Sequence, residues 1–162
     1  MSKTITMMLD AGSIRHAIRE LNDYKKSMER KANELVQKLA SMGAQSASIG
    51  YAGAAYDGNN DISVRVEQRG QNVCAVVAAG STVLFIEFGA GIRFGYGHPQ
   101  AAEFGYGPGT YPSVKGNWDN PHGWWIPGGE HTYGNPPSMT MYYTAKELES
   151  RVLEVAREVF SA

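Results

Sequence analysis

The 162 residues suffice for one ordinary domain with a buried core, and they are too few for two domains of typical size. The 15 lysines and arginines against 16 aspartates and glutamates leave a formal net charge of −1, which argues against the cationic surface of a nucleic-acid-binding domain. A single cysteine, Cys74, excludes an internal disulfide and a cysteine-based zinc site. With no apolar run of about 20 residues and no signal-peptide core, we expect a protein of the reducing cytosol without a membrane partner.

A long amphipathic helix is predicted from Ser13 to Met42. Its apolar residues recur at steps of three and four positions, which places them on one face of a helix. Ser13 offers a side-chain oxygen to the free amides of the first turn, and Gly43 is a plausible end. These apolar residues are Ile14, Ile18, Leu21, Met28, Ala32, Leu35, Leu39 and Met42.

Extended structure is predicted next, after the turn-forming run at 57–61. Apolar and polar residues alternate over 62–66, and a glycine-containing turn separates them from an apolar run at 73–78, which predicts an antiparallel hairpin. The apolar run within 82–88 predicts a third strand that is buried on both faces. A short buried helical turn is the alternative that periodicity leaves open.

A long loop, 89–138, and a final helix, 139–160, complete the predicted chain. The loop contains all seven prolines and all three tryptophans, and its many rings argue against a merely solvated linker. Helical spacing of apolar residues resumes after it. We therefore predict one α+β domain over 1–162, with a small antiparallel sheet, a long N-terminal helix and a C-terminal helix packed on one face of it, and an extended interaction loop.

The polar residues do not form a recognisable catalytic pattern. Glu87 lies between apolar neighbours, where a catalytic acid or base is conceivable, but a carboxylate that faces solvent or caps backbone amides is favoured. Cys74 lies in an apolar run and is expected in the core. We predict no enzyme activity, no metal and no cofactor, because the candidate ligands lack a metal-binding spacing. Those candidates are His98, Glu103, Asp119, His122, Glu130 and His131.

The aromatic residues of the loop are the strongest candidate site. Tryptophan and tyrosine often dominate the binding energy of subunit interfaces, so we interpret these rings as contacts to other subunits or partners. Packing on the chain's own sheet and a carbohydrate-binding platform are the alternatives. The rings are Phe94, Tyr96, Phe104, Tyr106, Tyr111, Trp118, Trp124, Trp125 and Tyr133.

Two short stretches carry a resemblance to a known family. Phe85-Ile-Glu-Phe-Gly-Ala-Gly91 follows the hairpin, and Asn135-Pro-Pro-Ser-Met-Thr-Met-Tyr-Tyr-Thr-Ala145 leads into the last helix. With the order of the elements, they resemble the neck or tail-completion (head-tail joining) proteins of long-tailed double-stranded-DNA bacteriophages. That family has a strand ending in a Glu-Phe-Gly-Thr-like motif and a proline-containing entry into its last helix. The matching residues here are Glu87, Phe88, Gly89, Pro136 and Pro137.

The segment between the first helix and the sheet departs from the family pattern. Many members carry a Pro, Thr-Gly and Leu segment there, whereas this chain has Gly50-Tyr-Ala-Gly-Ala-Ala-Tyr-Asp-Gly58. The resemblance therefore gives little detail about the connection between helix and sheet.

The resemblance implies a structural virion protein that forms a homo-oligomeric ring, six- or twelve-fold, at the phage head-to-tail junction. The ring would contact a head-closure or connector protein and a tail terminator or tail tube, and DNA would pass through it without sequence-specific binding. Such a protein is assembled in the cytoplasm of the bacterial host and resides in the virion neck. The near-neutral charge is compatible with a lumen that does not hold DNA. A carbohydrate-binding or cell-wall-associated phage module that uses the aromatic loop is the alternative function.

Overall fold

The computed structural model describes residues 4–55, 60–91, 93, 97–104, 120–125 and 128–161. Two long helices and a β-hairpin form its body, which confirms the predicted α+β class. In chain order the elements are α1 (Ala11–Ala52), β1 (Ser63–Gly70), β2 (Val73–Ala79), α2 (Val83–Phe88), β3 (Trp124–Trp125), β4 (His131–Thr132) and α3 (Thr140–Ser161).

The start of α1 lies a little earlier than the apolar pattern predicts. Asp10 is the N-cap, and its carboxylate accepts hydrogen bonds from the amides of Gly12 and Ser13, both at 2.9 Å. A short acceptor at this position satisfies the free amides of the first turn. The prediction that Ser13 is the cap was wrong, because Ser13 lies inside the first turn and its hydroxyl accepts from the amide of Met8 at 2.8 Å.

Helix α1 ends at Ala52 and not at Met42 as predicted. Gly43 and Gly50 lie inside the helix, where the absence of a side chain allows other elements to pack closely. A Cβ on Gly43 would lie 2.8 Å from Leu148 and 3.1 Å from Val76. A Cβ on Gly50 would lie 2.6 Å from Thr140. These contacts place both α3 and β2 against α1.

The core is built between α1, the hairpin and α2. β1 and β2 pair antiparallel, with Val64 opposite Ala78 and Val66 opposite Val76. Ala47, Tyr51 and Ile86 are fully buried at the centre of the core. Partly buried residues that surround them include Ala54, Ile62, Val64, Val76, Ala78, Val83 and Met141. Ile62 and Val64 therefore face the core, in agreement with the predicted alternation, whereas Val66 is exposed.

Helix α3 runs antiparallel to α1 and beside it. Lys38 of α1 pairs with Glu158 near the end of α3, and the hydroxyl of Ser46 donates to Glu147 at 2.7 Å near its start. Lys31 reaches the carbonyl oxygen of Phe160 at 3.4 Å. Residues of α1 before Lys31 therefore project past the end of α3.

The predicted third strand was wrong, because residues 83–88 form the short helix α2. The alternative of a short buried helical turn was correct. Asp61 accepts hydrogen bonds from the amides of Ser81 at 2.6 Å and Thr82 at 3.1 Å, and from the Thr82 hydroxyl at 2.6 Å. The Thr82 hydroxyl, with the Ser81 amide next, holds the pKa of Asp61 well below its usual range. These bonds fix the tight turn into α2, which the apolar run alone could not predict.

Candidate functional site

The two stretches that carry the family resemblance meet in space, although residues 92–134 separate them along the chain. Ala90 and Asn135 exchange backbone hydrogen bonds, each 3.0 Å long, in an isolated antiparallel bridge. Three more bonds join the stretches: Ser138 N to Ile86 O at 2.8 Å, Met139 N to Glu87 O at 3.2 Å, and Asn135 Nδ2 to Phe85 O at 3.1 Å. We call residues 85–91 and 134–142 together the junction.

Glycines allow the two stretches of the junction to lie this close. Gly89 has a φ of 79°, and a Cβ there would lie 2.8 Å from the nitrogen of Pro137. Gly134 has a φ of 86°, and a Cβ there would overlap the carbonyl oxygen of Ala90. Only glycine adopts this backbone conformation without strain and also leaves room for the neighbouring backbone. Pro136 and Pro137 then connect the bridge to the start of α3.

Glu87 is the central polar residue of the junction, and only 4% of its surface is exposed. Its carboxylate accepts hydrogen bonds from the Tyr51 hydroxyl at 2.8 Å, the Met141 amide at 3.0 Å and the Tyr142 amide at 3.1 Å. The two amides belong to the first turn of α3, where unpaired donors and the helix dipole favour a negative charge. The interpretation of Glu87 as a cap for backbone amides is confirmed, whereas a solvent-facing Glu87 was wrong.

The buried imidazole of His98 completes the surroundings of Glu87. Its Nδ1 accepts a hydrogen bond from the Gln100 amide at 3.1 Å, which requires that Nε2 carries the proton. Nε2 lies 3.4 Å from Oε1 of Glu87 and donates to it. Burial, and next the Glu87 charge, raise the pKa of Tyr51 far above its usual range, so its hydroxyl remains a donor.

The geometry around Glu87 favours a structural tie over acid–base chemistry. Donors from α1, from the segment after α2 and from α3 converge on one carboxylate and occupy both of its oxygens. A catalytic base needs a free lone pair within reach of the proton it removes. Both carboxylate oxygens of Glu87 instead accept hydrogen bonds from three separate parts of the chain, and these bonds hold the three parts together.

A cavity of ≈ 410 Å³ opens beside Glu87. Its walls are mainly apolar, and the hairpin, α2, the segment 98–104 and the first turns of α3 contribute to them. The apolar lining includes Val76, Ala78, Val83, Leu84, Phe88, Phe104 and Met141. Its size and chemistry are those of a binding pocket for apolar groups.

A second feature lies on the short β3–β4 ladder, where three rings follow one another. The indole of Trp125, which is 71% exposed, lies 5.1 Å from the His131 ring, and that ring lies 4.9 Å from Tyr133. Both contacts are edge-to-face, and the guanidinium of Arg93 lies 4.7 Å from the Tyr133 ring centre. We call Trp125, His131 and Tyr133 the aromatic ladder.

The other aromatic candidates separate into distinct groups. Trp124 is only 8% exposed, and a Cβ on Gly91 would lie 3.0 Å from its ring, so this indole packs inside its own subunit. For Trp124, the interpretation as a partner contact was wrong and the alternative of internal packing holds. Phe104 is exposed at the rim of the cavity, 5.7 Å from the ring of Phe88. The candidates Phe94, Tyr96, Tyr106, Tyr111 and Trp118 lie outside the described residues.

The candidate metal ligands of the loop have separate roles where the structure describes them. His98 is buried beside Glu87, whereas His131 belongs to the aromatic ladder. Glu103, His122 and Glu130 are exposed, and Asp119 lies outside the described residues. Among the described residues, no group of three or more His, Cys, Asp or Glu side chains is placed to hold a metal ion. Cys74 is half-buried, and its thiol donates to Gln68 at 3.1 Å.

Sequence reasoning missed two partners of the junction. Tyr51 lies in a stretch of small residues that was interpreted as the connection after the first helix, and its hydroxyl proves to bind Glu87. The amides of α3 that Glu87 caps belong to residues 54 and 55 positions later in the chain. The only usable signal for Tyr51 is a large ring among alanines and glycines.

Comparison with known proteins gives no match: no family model, no curated protein and no solved structure matches this chain. Within the described part of the chain, no helix has both the length and the apolar character needed to cross a bilayer.

Proposed function

We propose that this chain is a structural subunit of a tailed bacteriophage and that it forms a homo-oligomeric ring between the head and the tail. The ring bridges the connector or head-closure protein and the tail terminator or tail tube, and DNA passes through its lumen. The resemblance of residues 85–91 and 135–145 to neck proteins motivates the proposal. It is supported by the close contact of these two stretches in the fold, which gives both of them a place in one structural unit.

The observation that carries the proposal is the exposed aromatic ladder. The three adjacent rings, among them an indole that is 71% exposed, form an aromatic surface that is suited to binding a partner. Because the edge-to-face contact with His131 orders the ring before binding, little conformational entropy is lost on association. Tryptophan and tyrosine side chains of this kind often dominate the energy of protein interfaces.

The proposal is tested by joining heads and tails in vitro. Heads and tails are prepared from a phage that carries this chain's gene in inactivated form, and purified protein is added back. Trp125→Ala is expected to lower the yield of infectious particles by roughly tenfold or more, as the loss of an interface hot spot requires. Tyr143→Ala is the matched control, because Tyr143 is an exposed ring on α3, outside the ladder.

Both variants should keep the melting temperature and circular dichroism of the wild type. An unchanged particle yield with Trp125→Ala would contradict the role of the ladder, and wild-type protein that fails to restore joining would contradict the function itself.

A carbohydrate-binding module is the second candidate, and the same ladder favours it, since exposed rings also stack on sugar faces. A glycan array with wild-type protein and Trp125→Ala separates the two functions. Glycan binding that the substitution abolishes, together with normal head-to-tail joining, would favour the carbohydrate module over the ring.

A further inference from the structure

The N-terminal part of the chain exposes an unusual amount of apolar surface. Met7, Met8 and Leu9 are 55%, 75% and 96% exposed. Ile14, Ile18 and Leu21 follow at helical spacing on the projecting part of α1, and each is also exposed. We call residues 7–9 the arm and these three residues of α1 the stripe.

The arm and the stripe together are large enough for a specific interface. With large side chains of about 150–200 Å² each, their exposed fractions amount to roughly 600 Å², against the ~800 Å² that each partner gives to a standard interface. That is the upper end of the apolar patches found on monomers, and such patches mark sites of association.

The cavity beside Glu87 is a matching receptor, but the arm of the same chain cannot reach it. Tyr51, at the C-terminal end of α1, lines the cavity, whereas the arm precedes the first residue of α1. The 42 residues of α1 span roughly 63 Å at about 1.5 Å per residue. The segment 4–9 covers at most about 20 Å when fully extended. An arm that enters this cavity must therefore belong to another molecule.

We propose that the arm of one subunit inserts Met8 and Leu9 into the apolar cavity of the next subunit, so that a second copy of this chain is the occupant. The cavity of ≈ 410 Å³ has room for more than one aliphatic side chain. Methionine adapts to irregular apolar walls, and the walls here include valine, leucine, phenylalanine and methionine side chains. The stripe then lies along the neighbouring subunit beside the cavity.

This contact joins two different surfaces, so it is heterologous and repeats from subunit to subunit. Each molecule offers one arm and one cavity, and a repeated heterologous contact closes into a ring when the rotation between copies allows it. The inference rests on the proposed ring function and deepens it, because it names the surfaces that join neighbouring subunits. The aromatic ladder is left for the adjoining head or tail protein.

The test uses the full chain with one substitution on each surface. Leu9→Asp places a charge on the arm, and Phe104→Asp places one at the exposed rim of the cavity. Thr6→Asp and Ala102→Asp are matched controls at exposed neighbouring positions that do not belong to the cavity lining. Native mass spectrometry and light scattering measure the oligomeric state, and thermal melts confirm that each variant is folded.

Wild type and both controls are expected to form closed multimers, and each of the two test variants is expected to be monomeric. An equimolar mixture of Leu9→Asp and Phe104→Asp should form a one-to-one dimer, because one intact arm and one intact cavity remain. An arm that paired with another arm would not give this dimer. A mixture that stays monomeric, or a Leu9→Asp variant that assembles like wild type, overturns the proposal.

The head-to-tail joining assay separates this inference from the function on which it rests. Wild-type rings that are indifferent to Leu9 and Phe104 overturn the arm-and-cavity contact and leave the proposed function intact. A wild-type protein that multimerises through the arm but does not restore joining of heads and tails overturns the proposed function and leaves the contact intact. A wild-type protein that is monomeric at every concentration overturns the contact.

Discussion

Substitution of Glu87 by alanine tests how much the hydrogen bonds to its carboxylate contribute to the stability of the fold. The change removes the acceptor of the Tyr51 hydroxyl and of the Met141 and Tyr142 amides. A hydrogen bond to a charged group contributes about 1.5–3 kcal/mol, and a buried donor left without a partner costs about 1–3 kcal/mol. Because the contributions do not add, we expect a loss of about 3–5 kcal/mol in the free energy of unfolding. That is a large share of the ~5–15 kcal/mol of a typical domain.

Glu87→Gln separates the charge from the shape. Glutamine keeps one oxygen but turns an amide donor toward groups that are themselves donors, so we expect a loss of about 1.5–3 kcal/mol. Tyr51→Phe removes one bond and leaves the others, with an expected loss of about 1–2 kcal/mol. Glu149→Gln is the control: this carboxylate forms an exposed pair with Lys146, and its loss should leave the urea midpoint unchanged.

Urea unfolding followed by circular dichroism at neutral pH measures these differences, provided that the denaturant slope is unchanged. Hydrogen exchange gives an independent local readout. In Glu87→Gln, the amides of Met141 and Tyr142 should exchange faster relative to the middle of α3 than in wild type. A Glu87→Gln variant within about 0.5 kcal/mol of wild type, with unchanged protection of these two amides, would refute the role assigned to the carboxylate.

Three further substitutions test other contacts. Because the pKa of Asp61 is lowered in the folded state, its stabilisation is complete above the unfolded-state pKa near ~4 and is lost as pH falls through the folded pKa. Asp61→Asn should therefore lower the melting temperature at neutral pH, and the difference from wild type should shrink in melts at strongly acidic pH. Gly134→Ala should destabilise the protein by about 2 kcal/mol or more in urea unfolding, because the new Cβ would overlap the Ala90 carbonyl. Gly53→Ala is the control: its Cβ would meet no atom, so the change should be neutral or slightly stabilising. Equal effects of the two substitutions would contradict the crowding at the junction. Trp124→Ala should cost about 3–5 kcal/mol in the same assay, and a loss below ~1 kcal/mol would contradict its place in the core.

The helices and the hairpin were predictable because their signals are local. Apolar residues at helical spacing gave α1 and α3, and alternation gave β1 and β2. The same local view placed the end of α1 too early, because it took Gly43 for a helix end. The glycine is there because Leu148 approaches it, and that neighbour lies more than 100 positions away in the chain. A contact of that kind leaves no periodic trace in the sequence.

The site was predictable only in part, for the same reason. Capping of backbone amides was weighed for Glu87 from its place on a predicted strand, but which amides it binds depends on the meeting of the two junction stretches. The aromatic residues were recognisable as a group, yet adjacent Trp124 and Trp125 have opposite fates, because successive residues of a strand point to opposite faces. Composition could not distinguish the buried tryptophan from the exposed one. The distinction follows from the pairing of β3 with β4, which fixes the face to which each side chain points.

The dependence of the junction on α3 also sets an order of events during synthesis. The first helix and the hairpin are complete by residue 79, but the donors that Glu87 binds in α3 appear only at residues 141 and 142. Until then the apolar faces of α1 and β2 lack their last cover, and exposed apolar surface of this kind promotes aggregation of incomplete chains. A chain that stops within the loop would contain α1, the hairpin and α2 but would lack α3 and the two amides that bind Glu87. Synthesis of the last helix is therefore required before the chain can complete its fold.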